Sequence, residues 1–261
     1  MTNLDGLPLG LIFVGTIVLV LVSMEVGYRF GKRAHRLAPN EKAPAVSGVS
    51  AAVLGLTAFM MAFAFGSVSS RFDLRKELVR DDANAIRTTF LRSEFLPEPD
   101  RIATQALLTR YLDERIAFAA GTFDPNRLAA TRASSERILR QLWNIAVVNA
   151  RKDLNSDVAA LYIESLNQIG EINATRIAVG AQTRLPPIVW LSLLGLAVLG
   201  MASVGYHAGI EDSQRSKLTV ALAAGFALVI LMIAALDRPH GFVRVTQQPL
   251  IDLRAWIGAG A

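Results

Sequence analysis

The ionisable residues of this 261-residue chain form no familiar reaction centre. Histidines occur at His35, His207 and His240, far apart and without ligand spacing, so no metal site is expected. The absence of cysteine excludes disulfides, thiol nucleophiles, zinc–thiolate sites and iron–sulfur clusters. A phosphate-cradling glycine loop, a nucleophile elbow and a partnered Ser/His pair are all missing, so neither catalysis nor a bound cofactor is expected. The adjacent acids Asp81 and Asp82 could bind a cation. On a charged helix such acids are more often solvated or paired, here with Arg75, Lys76 or Arg80. Glu25 and His207 fall close enough to the ends of apolar stretches to snorkel, and Asp237-Arg238 reads as a helix-end ion pair before a proline stop. Nothing resembles a proton relay through an apolar stretch, which argues against an ion-coupled pump.

Permeation is another kind of chemistry, and one apolar stretch carries residues suited to it. Ala58, Ala62, Gly66 and Ser70 recur every four residues, making one smooth face on which a second helix could pack closely in lipid. Beside that face run Gly55, Phe59 and Phe63, with Leu56 adjacent. Phenylalanines at that spacing could form a hydrophobic constriction on an oligomer axis, which gates ion flow by dewetting. They could equally face lipid or neighbouring helices.

The elements that hold these residues are legible in the composition. The chain is 52% hydrophobic, its mean hydropathy is +0.37, and the apolar residues fall in blocks. Residues 6–28, 46–70, 186–206 and 218–236 are each long enough to cross a bilayer as helices with almost no charge. The first block lacks a basic leader and a small-residue cleavage site, so a span is expected there rather than a signal peptide. Residues 51–96 contain no proline, and their apolar half runs directly into a charged half at helical period. A helix of that length reaches roughly 65 Å, well beyond the ~30 Å hydrocarbon layer, and would couple the span rigidly to what lies outside.

The expected order is spans one and two with a short basic loop (1–70), a helical soluble domain (71–185), spans three and four (186–236) and a short tail (237–261). Four spans put the termini and the domain on one side. Arg29, Lys32, Arg33, Arg36 and Lys42 all follow the first span, but the domain side is also basic, so charge does not decide orientation. The net charge of +5 reads as lipid-facing helix ends, with no nucleic-acid module.

In the domain, helical period is expected to about Phe95, ending before the prolines of LPEPD. Asp100 is a candidate N-cap for a helix with Leu107, Leu108, Tyr111, Leu112 and Ile116 on one face, stopping at Gly121. Asp124-Pro125 predicts a cap and first-position proline for a third, through Ile138, Leu139, Leu142, Trp143 and Ala146. A break near 153–157 precedes a fourth, with Val158, Leu161, Ile169, Ile172 and Val179 as its apolar positions. Strand signals and internal repeats are not found.

Residues 63–92 resemble the transition from pore helix to cytosol in bacterial bestrophins, where an Arg-Trp-Trp group follows a phenylalanine and a short polar stretch. Arg71 and Phe72 stand at the first two positions of that group, and Asp73 replaces the second tryptophan. The whole chain is still more similar to the bestrophin-like domain family of bacterial membrane proteins (DUF4239), through RFD after the second span, LPEPDR, and LDRP…GFVRV near the end. These resemblances imply a homo-oligomer, pentameric in bestrophins, in the inner membrane, passing inorganic anions or cations along an axis lined by the second span. Gly55, Leu56, Phe59 and Phe63 would be constriction positions, Arg71 and Arg75 would lie at the pore exit and vestibule, and the helical domain would be cytoplasmic. No acidic cluster matches the animal calcium clasp. The alternative is a non-conducting, membrane-anchored sensor or scaffold whose helical bundle binds a partner or ligand.

Overall fold

Apolar runs that lie in lipid must close their own backbone hydrogen bonds, and the charged segments between them repeat at helical period, so the whole chain is driven to helix. The computed structural model describes residues 7–37, 43–120, 124–182, 184–211, 218–238 and 243–260, and among these it has helices and no strand. The helices are α1 (Leu9–Leu37), α2 (Ala43–Arg92), α3 (Asp100–Ala120), α4 (Pro125–Ala150), α5 (Asp157–Ile177), α6 (Pro187–Ile210), α7 (Leu218–Asp237) and α8 (Gln248–Gly258). His240 and the helix stop expected at Gly121 lie outside the described residues. The fold is all α, and four of its helices are long and apolar enough to cross a membrane. The chain divides into two units, the first comprising Met1–Arg71 with Arg184–Val243, the second Phe72–Thr183 with Arg244–Ala261.

The first unit is built on a close crossing of α1 and α6. Gly27 and Gly31 face the carbonyls of Ala202 and Tyr206, while Gly205 and Gly209 face those of Met24 and Tyr28; a Cβ on any of the four would overlap backbone. Residue numbers rise together along the two helices, so they run parallel. The five-residue pattern Gly-Tyr-x-x-Gly occurs in both, as GYRFG and GYHAG. This is a short repeat, five residues long, at the point where the two helices cross. Small residues let backbones approach where lipid supplies no hydrophobic drive.

α2 joins this pair through hydroxyls. Ser50 Oγ donates to the Ser203 carbonyl at 3.1 Å, and Thr57 Oγ1 lies 3.2 Å from the Leu196 carbonyl. Met61, Ala64 and Val68 of α2 then pack with Leu193 and Ala197 of α6 and Ile230 and Ile233 of α7.

The second unit has its own core, which includes Val79, Ile86 and Phe90 of α2, Leu108, Tyr111 and Leu112 of α3, Ile138 and Leu142 of α4, and Ile169 of α5. Asp124 caps α4 as expected, accepting from the Asn126 N–H at 2.9 Å with Pro125 in the first turn. Asp100 is the first residue of α3 rather than its cap, and its Oδ2 accepts from Asn149 Nδ2 at 2.8 Å.

On α5 the expected face is buried only in part: Ile169 lies in the core and Ile172 packs against it. Val158 and Leu161 are exposed, and Tyr162, Ser165, Leu166, Ile169 and Asn173 face the core. A purely apolar reading misses this face because two of its members are polar residues satisfied inside the bundle: Ser165 Oγ donates to the Tyr162 carbonyl, and Asn173 Oδ1 accepts from Arg115. The tail expected after the fourth span contains α8, whose Leu250 and Leu253 belong to this same core.

Candidate functional site

α2 is a single helix of 50 residues, roughly 75 Å at 1.5 Å per residue. Within the membrane unit its two sides differ sharply. Thr57, Met61, Ala64 and Val68 are buried against the rest of the unit. On the other side Gly55, Leu56 (51% exposed), Phe59 (66%) and Phe63 (62%) are uncovered. Ala58, Ala62, Gly66 and Ser70 are exposed as well, so among the described residues the smooth face is left uncovered. A Cβ on Gly55 or Gly66 would meet open space. The structure therefore brings all eight residues onto one open side of α2.

Arg71 is engaged at the end of that stripe. Its guanidinium reaches Asp237 Oδ1 at 3.4 Å and Ser67 Oγ at 3.0 Å, and the same Asp237 oxygen accepts the Leu185 N–H at 2.9 Å. Asp237 thus ties α2, the entry to α6 and the end of α7. Arg238 donates to the Leu7 carbonyl at 2.6 Å. Arg75 lies over the Phe72 ring at 5.8 Å, with Lys76 also over that ring at 4.8 Å.

The second unit holds a buried charged group whose partners differ from those expected. Asp82 is not solvated, nor is it paired with Arg75, Lys76 or Arg80; it is fully buried. Its Oδ2 accepts from Arg176 of α5 and lies 3.3 Å from Arg115 Nε of α3. Arg115 also donates to the Tyr111 hydroxyl and to Asn173 Oδ1 at 2.9 Å, and Arg176 donates to Gln247 Oε1 at 3.3 Å. Burial opposes both cationic charges. At Arg115 the Asp82 carboxylate and Tyr111 outweigh it, so the guanidinium stands above its ordinary value. At Arg176 burial, helped by repulsion from Arg115, wins and the value falls. The Tyr111 phenol is pushed up to about 12, chiefly by burial. One signal was present in the sequence: Asp82 falls in the buried register of α2, where a charge must find a partner.

Among the described residues no group of three or more His, Asp or Glu side chains is placed to hold a metal. The arrangement offers an uncovered aromatic stripe on a long helix and, further along the same helix, a buried carboxylate shared by two guanidiniums.

The family model described as Bestrophin-like domain matches residues 14–250. The chain belongs to the Bestrophin-like domain family. Two crystal structures of a bacterial Bestrophin homolog from Klebsiella pneumoniae, each of a single-substitution variant, share its fold. One has TM-score 0.65 at 14% identity over 93% of this chain and 99% of that one. The other has TM-score 0.67 at 12% identity over 97% and 99%. No curated protein matches the sequence. This Bestrophin-like chain is thus an all-helical membrane protein whose fold is that of the bacterial homolog.

Proposed function

We propose that the protein is a homo-oligomeric ion channel of the inner membrane, with α2 lining the pore and Gly55, Leu56, Phe59 and Phe63 at its constriction. The observation that carries this reading is the uncovered side of α2. Two large aromatic residues and a smooth small-residue face stand exposed on one helix whose opposite side is packed. A ring of copies gives both a role: Ala58, Ala62, Gly66 and Ser70 as the contact between neighbouring subunits, and the phenylalanines as a dewetting gate. Membership of the Bestrophin-like family supports the same reading, with five subunits as the expected count and the helical unit in the cytoplasm. Arg71, held by Asp237, and Arg75, stacked on Phe72, then mark the pore exit and the vestibule beyond it.

The test is planar-bilayer recording of the purified protein, with subunits counted by mass. Phe59→Ala and Phe63→Ala are expected to raise conductance or basal opening several-fold, since a dewetting barrier depends steeply on the width and apolarity of the constriction. Unchanged currents in both variants would remove these residues from the gate. A silent dimer packed through the helical unit would instead favour the sensor or scaffold reading.

A further inference from the structure

The chain passes between its two units three times: within α2 at Arg71/Phe72, before α6 at Thr183/Arg184, and after α7 at Val243/Arg244. Each of the three connecting segments contributes a side chain to the buried Asp82 cluster soon after entering the helical unit or just before leaving it. α2 supplies Asp82, α5 supplies Arg176, and the segment leading into α8 supplies Gln247. Arg115 of α3, held by Tyr111 and Asn173, completes the group and fixes it to the body of the bundle.

We propose that Asp82 is a positioning residue for the channel, a fully buried carboxylate that locks the three connecting segments into one register inside the helical unit and so fixes that unit's end of α2. Geometry makes it suitable. Asp82 is fully buried and accepts a charge-assisted hydrogen bond from Arg176, and a buried charge that loses its partner is costly, so the pair opposes sliding of α2 against α5. Arg176 holds Gln247 with its other terminal nitrogen, which links the segment returning from α7 to the same carboxylate. α2 has no break between Asp82 and Phe63, so a change of register at Asp82 reaches the aromatic stripe along one helix. The functional arm of this proposal rests on the channel reading; the anchoring arm does not.

Charge bookkeeping chooses the variants. Two guanidiniums share one carboxylate, so Asp82→Asn leaves two buried cations unneutralised and endangers folding. Arg176→Gln leaves Asp82 with Arg115 as a neutral pair, and is the variant expected to fold. The full-length oligomer is compared in wild-type, Arg176→Gln, Asp82→Asn and Asp82→Glu forms, by hydrogen exchange and by single-channel recording. Exchange in Arg176→Gln is expected to rise at least tenfold at 244–247 and at the end of α5, with α3 and α4 unchanged. Open probability is expected to shift at least tenfold while unitary conductance and reversal potential stay at wild-type values, and Asp82→Glu falls between. A uniform rise in exchange throughout the unit, or wild-type open probability in a folded, conducting Arg176→Gln oligomer, overturns the proposal. If wild-type protein carries no current but the local exchange change occurs, the channel reading fails and the anchor stands.

Discussion

At the scale of single residues, two kinds of site carry the argument: glycines where backbones touch, and polar groups where the core must be satisfied. Gly27 and Gly205 lie where a Cβ would strike the facing helix, whereas Gly225 on α7 meets nothing. Gly27→Ala and Gly205→Ala are therefore each expected to cost about 1–3 kcal/mol or more by overpacking, and Gly225→Ala to leave the melting temperature in detergent unchanged or slightly raised. Tyr111 makes a prediction in pH. Its folded value of about 12 exceeds the ordinary 10.0, so its contribution is fully present below pH 10 and is lost as pH rises towards 12. Over that window the unfolded chain sheds a proton that the folded chain keeps, a slope of at most about 1.4 kcal/mol per pH unit. Thermal melts of Tyr111→Phe are expected to fall less steeply between those values. Tyr162, also raised by burial, leaves part of the slope in place.

Among elements, α2 and α8 show opposite degrees of legibility. The length of α2 follows from residues 51–96, which contain no proline and keep helical period; the α-helix ends at Arg92, and one 3-10 turn (Ser93–Phe95) leads to Leu96, extended before Pro97. α8 is hidden because eleven residues, with a proline at the second position and glycine at the end, give too short a window for periodicity to speak. Its place in the core rests on Leu250 and Leu253, and on Trp256, which meets Phe90 edge-on at 6.0 Å and lies under Arg87 at 4.7 Å. Leu250→Ala is expected to destabilise the helical unit by about 2–5 kcal/mol. The exposed neighbour Ile251 serves as control, its alanine variant staying within about 0.5 kcal/mol. Protease resistance of the unit and its melting transition report both.

For the whole molecule, the spans and the membership of the Bestrophin-like family describe a protein built to sit in a bilayer. Sidedness is checked by a single introduced thiol, since the chain has no cysteine of its own. Asn144→Cys, on the exposed side of α4, is expected to react with a membrane-impermeant maleimide only after cells are permeabilised. Labelling in intact cells would place the helical unit outside and remove the cytoplasmic vestibule from the proposed function.

The sequence by itself determined the helical class, the spans and the long second helix, because each follows from local properties: apolar length, period, prolines and caps. It also picked out the stripe from Gly55 to Phe63, since spacing alone puts those residues on one side of a helix. Only the tertiary structure decided which side of α2 stays uncovered, that Asp82 reaches Arg115 and Arg176 instead of its neighbours, and that α1 and α6 meet through paired glycines. Those outcomes depend on contacts between residues far apart in the chain. A buried charge looks like a surface one until the helices that bring its partners have packed.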